Sequence, residues 1–211
     1  MAVQVFTADA DEEESWLNEK ISMASSDDMP DTLASAQALL KKHEAFETDL
    51  ADHGERIAAV CQQGQALIGQ NNYQSAQIQQ IIAKLGSLQV RLREASAHRK
   101  AALSDRCTSL QFNREADSIL AWITDKEPLM ASDDFGRDLP SVQALLARQS
   151  SFDSALTTFE SRIAALGSLR KELLSQSNSS SAAIAQADAA VTSRWKRLLA
   201  AAEARKVSTP F

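Results

Sequence analysis

Apolar residues recur at steps of three and four along most of this chain, with polar residues between them. The clearest series is Leu33, Ala36, Leu40, His43, Phe46, Leu50, His53, Ile57, Val60, Gly64 and Leu67. A second follows the same steps through Leu139, Val142, Leu146, Gln149, Phe152, Leu156, Phe159, Ile163, Leu166, Arg170 and Leu173. A period of 3.5 predicts long helices that supercoil left-handedly on their neighbours. At 1.5 Å per residue, each would be roughly 55 Å long.

The two series lie 106 residues apart, and so does much else. Trp16 matches Trp122, and Lys20 matches Lys126. Ser26-Asp27-Asp28 matches Ser132-Asp133-Asp134, and Gln37-Ala38-Leu39-Leu40 matches Gln143-Ala144-Leu145-Leu146. Phe46 pairs with Phe152, Leu50 with Leu156, and Arg56-Ile57-Ala58-Ala59 with Arg162-Ile163-Ala164-Ala165. Asn72, Ile78 and Leu92 pair with Asn178, Ile184 and Leu198. Two copies of one unit fill the chain, which divides into 1–106 and 107–211.

Each unit holds three helical segments. The first covers about 5–24, with Phe6, Ala10, Trp16, Leu17, Met23 and Ala24 on one stripe. It stops at the turn formers Ser25-Ser26-Asp27-Asp28-Met29-Pro30, whose counterpart is Ser132-Asp133-Asp134-Phe135-Gly136. Thr32 and Asp138 are placed to cap the second helix, and Pro140 falls in its first turn, where a missing amide proton is harmless. Polar breaks at Gln70-Asn71-Asn72 and Ser175–Ser181 precede the third. That helix carries Ile78, Ile82, Leu85, Leu88 and Leu92, or Ile184, Val191, Trp195 and Leu198. The expected fold is all-α: two tandem three-helix antiparallel coiled-coil bundles.

Between the units there is no break. Ser87 to Glu127 contains neither glycine nor proline. The third helix of one unit should therefore run on as the first of the next. A kink or frayed turn at Ser104–Ser109 is the competing reading, since serine and threonine lower helix propensity there. The predicted linker consists of Arg99, Lys100, Leu103, Arg106, Cys107 and Leu110. The predicted core contains Trp16, Phe46, Leu50, Ile57, Trp122, Phe152, Leu156, Ile163 and Trp195.

Composition agrees with helices: aromatics are 5%, and Gly and Pro are scarce. The net charge of −6 is unevenly spread. Residues 1–55 carry 14 acidic and 3 basic side chains, residues 56–106 carry 2 and 7, and residues 107–211 carry 12 of each. Attraction between acidic and basic helices within one bundle accounts for this polarity. No long basic stripe with interleaved aromatics suggests nucleic acid, and no apolar run is long enough to span a membrane. Cys61 and Cys107 follow no paired spacing and, with no secretory leader apparent, read as reduced thiols of a cytosolic protein. The start of the chain looks like a piece cut from a longer protein.

No enzyme site emerges. His43 and His53 lie on the core stripe without a converging ligand set, and His98 reads as solvated. Asp27-Asp28 with Asp31, and Asp133-Asp134 with Asp138, lack the order of a calcium loop and suit helix ends instead. Serines stand in turns outside any nucleophile-elbow setting. No metal or cofactor is expected. Arg91, Arg93, Arg99 and Lys100 form a basic face that suits an acidic partner or anionic lipid; a solvated helix face is the plainer reading.

A 106-residue three-helix unit, with Trp16 in its first helix and a helix running into the next copy, resembles the spectrin repeat. The resemblance covers the whole chain as two repeats. Lys41–Asp49, Leu110-Gln111-Phe112-Asn113 and Ser132–Leu139 are similar to repeats toward the C-terminal part of the spectrin α chain. Trp195 fits the tryptophan common in the third helix, whereas Gln89 departs from it. The resemblance implies a non-enzymatic segment of a membrane-skeleton rod at the cytoplasmic face of the plasma membrane. Such a segment acts as elastic spacer and lateral scaffold beside an antiparallel β-type spectrin chain, holding two bundles over ~100 Å. It implies that actin binding, actin capping and membrane adaptors belong to other parts of the parent chain. A docking module for an adaptor or anionic lipid, using a charged helix face, is the alternative.

Overall fold

A computed structural model describes residues 2–70, 73–132, 134, 136–175 and 181–207, with side chains through Arg205. All regular structure among them is helical: α1 (Ala2–Ala24), α2 (Leu33–Gly69), α3 (Ser75–Met130), α4 (Leu139–Ser175) and α5 (Ser181–Val207). Asn71, Asn72, Asp133, Phe135 and most of the serine cluster before α5, all part of the expected breaks, lie outside the described residues. The chain divides into two compact units, Met1–Cys107 and Thr108–Phe211.

Contacts fix an up-down-up order in the first unit. Phe6 near the start of α1 meets Gly64 near the end of α2, while Trp16 meets His53. Gly64 also faces Ile82, and His43 meets Ser96, so α2 and α3 are antiparallel. Glu14 pairs with Lys84, and the turn after α1 meets Arg99 and Arg106, so α1 and α3 run the same way. The second unit repeats this order. Trp122 stacks on Phe159, Arg170 pairs with Asp188, and Glu127 pairs with Arg194.

Helix starts follow the capping chemistry expected of Thr32 and Asp138. Thr32 has extended backbone, and its hydroxyl accepts from Ser35 N at 3.2 Å while Ser35 Oγ accepts from Thr32 N at 3.2 Å. One repeat later Asp138 Oδ1 accepts from Ser141 N at 2.9 Å, and Ser141 Oγ accepts from Asp138 N at 3.1 Å. Both are reciprocal caps that satisfy otherwise orphaned helix N–H groups. The preceding turn differs between copies. Gly136 takes φ +84, and a Cβ there would stand 2.9 Å from Ser141 and Val142 atoms, so glycine is required.

Hydrogen bonds from Ser141 hold the Asp138 carboxyl below the usual carboxylate range. A depressed folded-state value contributes stability above the unfolded value, lost as pH falls through the folded one. Acid titration of the full chain should therefore weaken the second unit's transition below about pH 4. Asp138→Asn, which keeps the cap, should flatten that loss. An identical acid profile in the variant would remove the cap carboxylate as its cause.

α3 passes without interruption through Ser104–Ser109, the place where a kink competed with continuity. Leu103 is 2% exposed and Phe112 is fully buried, so the apolar stripe continues on both sides of this polar stretch. Ser109 is itself buried. The helix extends past the breaker-free window through Pro128 to Met130. Pro128 forfeits the bond its N–H would make to Thr124 O, and Ala131 N closes the last turn on Glu127 O at 3.1 Å.

Each unit has its own core. Phe6, Leu17, Ile57, Ile78, Leu85 and Leu92 anchor the first; Phe112, Ile119, Ile123, Leu166, Leu173 and Ile184 anchor the second. Every member of the α2 stripe is buried or half-buried, from Leu33 to Leu67. The α4 stripe departs from expectation at Leu139 and Leu146, which are 71% and 53% exposed. In the first unit this level is closed by Leu103, which lines one cavity with Leu39; its counterpart is residue 209, outside the described residues. Met23, placed on the α1 stripe, is also exposed, and Ile21 and Ala24 take the inward positions around it.

Candidate functional site

Ile57, Phe152 and Trp195 are buried. Trp16, Phe46, Leu50, Trp122, Leu156 and Ile163 are half-buried and pack against the two cores. Trp122 stands between Phe152, Phe159 and Trp195, at ring-centroid distances of 6.2, 3.9 and 6.3 Å. This aromatic layer is apolar apart from the Arg162 guanidinium, 4.6 Å over the Phe159 ring.

The first unit builds the same layer from polar parts. His53 occupies the place of Phe159 and stacks on Trp16 at 3.7 Å, close to the Trp122–Phe159 geometry. Where Ile119 stands in the second unit, the first has Glu13, which is 2% exposed. His53 Nδ1 donates to Glu13 Oε2 at 3.2 Å, and Arg56 Nη2 reaches Glu13 Oε1 at 3.1 Å. Gln89, half-buried, takes the place of Trp195. Three apolar residues of one copy are thus replaced together by three polar ones in the other. Periodicity assigns His53 to the core, whereas Glu13 is one of the 14 acidic residues of 1–55 and falls on no apolar stripe. The missed signal was the repeat itself, because Glu13 aligns with the core residue Ile119.

A second polar level lies nearer the turn. Buried His43 directs Nε2 to Ser96, 3.0 Å from its carbonyl and 3.1 Å from its hydroxyl. The counterparts are Gln149, which donates to Asp153 on its own helix, and buried Ala202. His98 is exposed. Among the described residues no group of three His, Cys, Asp or Glu side chains stands close enough to hold a metal.

The basic face does not stay together. Arg91 and Arg93 are exposed and form no ion pair among the described residues. Arg99, expected on that face, is instead only 9% exposed. Its Nη2 donates to Asp28 O in the turn after α1. Arg205, 106 residues on, donates to Ser132 O and Asp134 O in the equivalent turn. An arginine late in the third helix thus latches the first turn of its own bundle, satisfying carbonyls of the turn itself. Lys100 is exposed but paired with Glu47 at 2.6 Å, a hydrogen bond that raises its pKa. Arg106 Nε donates to Pro30 O at 2.8 Å. Of the remaining linker residues, Leu103 is buried, and Cys107 and Leu110 are half-buried. Both cysteines are free, and burial pushes the Cys61 thiol up.

The family model for the spectrin repeat matches this chain twice, over residues 1–105 and 108–208. The chain belongs to the spectrin repeat family. Spectrin repeats are structural three-helix units, and the bundle order, the α3 connection and the tryptophan layers above are their features in this sequence. The chain is 36% identical over 203 residues to the mouse protein "Spectrin alpha chain, erythrocytic 1", a match covering 95% of this chain and 8% of that protein. It is 28% identical over 180 residues to the Drosophila melanogaster "Spectrin beta chain", covering 85% of this chain and 8% of that one. Mouse "Spectrin beta chain, erythrocytic" is 31% identical over 147 residues, 70% of this chain and 7% of that protein. The chain thus spans less than a tenth of the length of these curated relatives. No helix among the described residues is long and apolar enough to cross a membrane.

Proposed function

We propose that this chain is a structural segment of a spectrin-type membrane-skeleton rod, with no catalytic role, built as two repeats over 1–106 and 107–211. One observation carries the reading: α3 leaves the first unit and enters the second as a single helix of 56 residues. A shared helix couples two bundles mechanically, since bending or melting it must break backbone hydrogen bonds in both. The segment spaces and elastically links its neighbours in a cytoplasmic parent chain at the inner face of the plasma membrane. It lies beside an antiparallel β-type spectrin chain, and similarity to both alpha and beta spectrins supports that pairing. Exposed Arg91 and Arg93 form the face we place against an acidic partner surface. Actin and membrane adaptors are reached through other parts of the parent.

Arg106→Pro tests the reading, because proline inside a helix removes a bond and clashes, at a cost of ~3 kcal/mol. The two unfolding transitions should separate in calorimetry, with the midpoints of both units lowered. Arg106→Ala removes the side-chain bond to Pro30 O and the 3.9 Å ion pair with Asp31 but leaves the helix backbone intact, and should leave the transitions coupled. Merged, unchanged transitions in the proline variant would end the proposal.

A further inference from the structure

A cavity of about 460 Å³ lies in the first unit between the end of α1, the following turn, α2 and α3. That is within the range of small-molecule sites, about 300–1,000 Å³. Met23, Leu39, Phe46 and Leu103 form its apolar wall. Ser26, Asp28, Lys42, His43 and Arg99 form the polar one.

Arg99 is the informative member. The residue is nine-tenths buried, and its guanidinium cannot shed its charge. Nη2 is spent on Asp28 O, but Nη1 is buried with no hydrogen-bond partner. In the second unit the corresponding nitrogen of Arg205 donates to Ser132 O, so the latch there leaves nothing over. A guanidinium short of one partner keeps its full charge beside the cavity, and an anion lodged there would be attracted to that charge. Lys42, exposed at the rim, forms no ion pair among the described residues. His43 is already engaged with Ser96. Two cations against the single carboxylate of Asp28 suit one negative charge, and the apolar wall suits a hydrocarbon tail.

We propose that this cavity binds a soluble alkyl carboxylate, its tail on Phe46 and Leu103 and its head between Arg99 and Lys42. This is separate from the exposed Arg91 and Arg93 face and does not depend on it. Titration of the full chain with octanoate, followed by calorimetry and by NMR shifts at Met23, Phe46 and Leu103, tests it. Arg99 also anchors the turn, so the informative variants are Lys42→Glu at the rim and Leu39→Trp to fill the space. Circular dichroism should show both folded. One saturable site per chain is expected, weakened about tenfold by Lys42→Glu and abolished by Leu39→Trp. Acetate, lacking the tail, and octanol, lacking the charge, should not bind. Absent saturation, equal binding of octanol, or binding indifferent to both variants would overturn the assignment. Capture on phosphatidylserine vesicles without octanoate binding would overturn it too, assigning the charge to a membrane surface.

Discussion

His53→Phe alone should destabilise the first unit, whereas Glu13→Ile combined with His53→Phe should restore or raise its stability. The single change keeps the ring stacked on Trp16 but removes the donor that faces Glu13 Oε2. Glu13 is then a buried carboxylate whose remaining partner is Arg56, a side chain 57% exposed on α2. Leaving a buried charged group short of a partner costs about 1–3 kcal/mol, and screening of the exposed arginine limits what it can offset. The double change imports the Ile119–Phe159 pair that the second unit already accommodates on the same scaffold. Replacing a buried ion-paired group by apolar residues of similar volume is commonly neutral or stabilising, by roughly 1–4 kcal/mol. Urea denaturation with an unchanged m-value reads both effects as midpoint shifts. If the double variant loses as much as the two single variants summed, Glu13 and His53 are not energetically coupled and the layer is not a unit. The polar layer also has a physical use. A glutamate and a histidine that meet only in one alignment penalise slippage of α1 along α2, as buried polar pairs set register in other coiled coils.

Alanine at Gly64 should lower the first unit's stability by about 1–3 kcal/mol, the cost of overpacking a filled core. A Cβ at Gly64 would stand 2.6 Å from the Phe6 ring and 2.9 Å from Ile82 Cδ1. Phe6 is 1% exposed, so its ring has no room to yield, and the clash outweighs the ~1 kcal/mol that alanine gains over glycine in a helix. At Gly54 and Gly86 a Cβ would meet nothing within 4 Å. Alanine at either should therefore stabilise, by about 0.5–1 kcal/mol. One substitution thus changes sign with position along helices of one unit. Thermal midpoints of the three variants check this. A stabilised Gly64→Ala would mean that α1 does not approach α2 closely at Phe6. The second unit solves this level differently: Arg170 replaces the glycine and pairs with Asp188, which replaces Ile82, at 3.3 Å.

The helices, their order and their duplication were legible because they depend on periodicity and on breakers, which are local. The α2 stripe from Leu33 to Leu67, the caps at Thr32 and Asp138, and the uninterrupted passage through Ser104–Ser109 all follow from residue spacing and propensity. Other features depend on which atoms face each other across helices. Glu13 looks like one more acid in an acidic helix until α2 brings His53 and Arg56 to it. Arg99 looks like one more cation on a basic face until the turn at Asp28 lies within reach of its guanidinium. By itself the sequence determined two three-helix units, their register of 106 residues and the helix that joins them. Only the tertiary structure decided which charges are buried, because the burial of a polar side chain depends on a partner supplied by another helix.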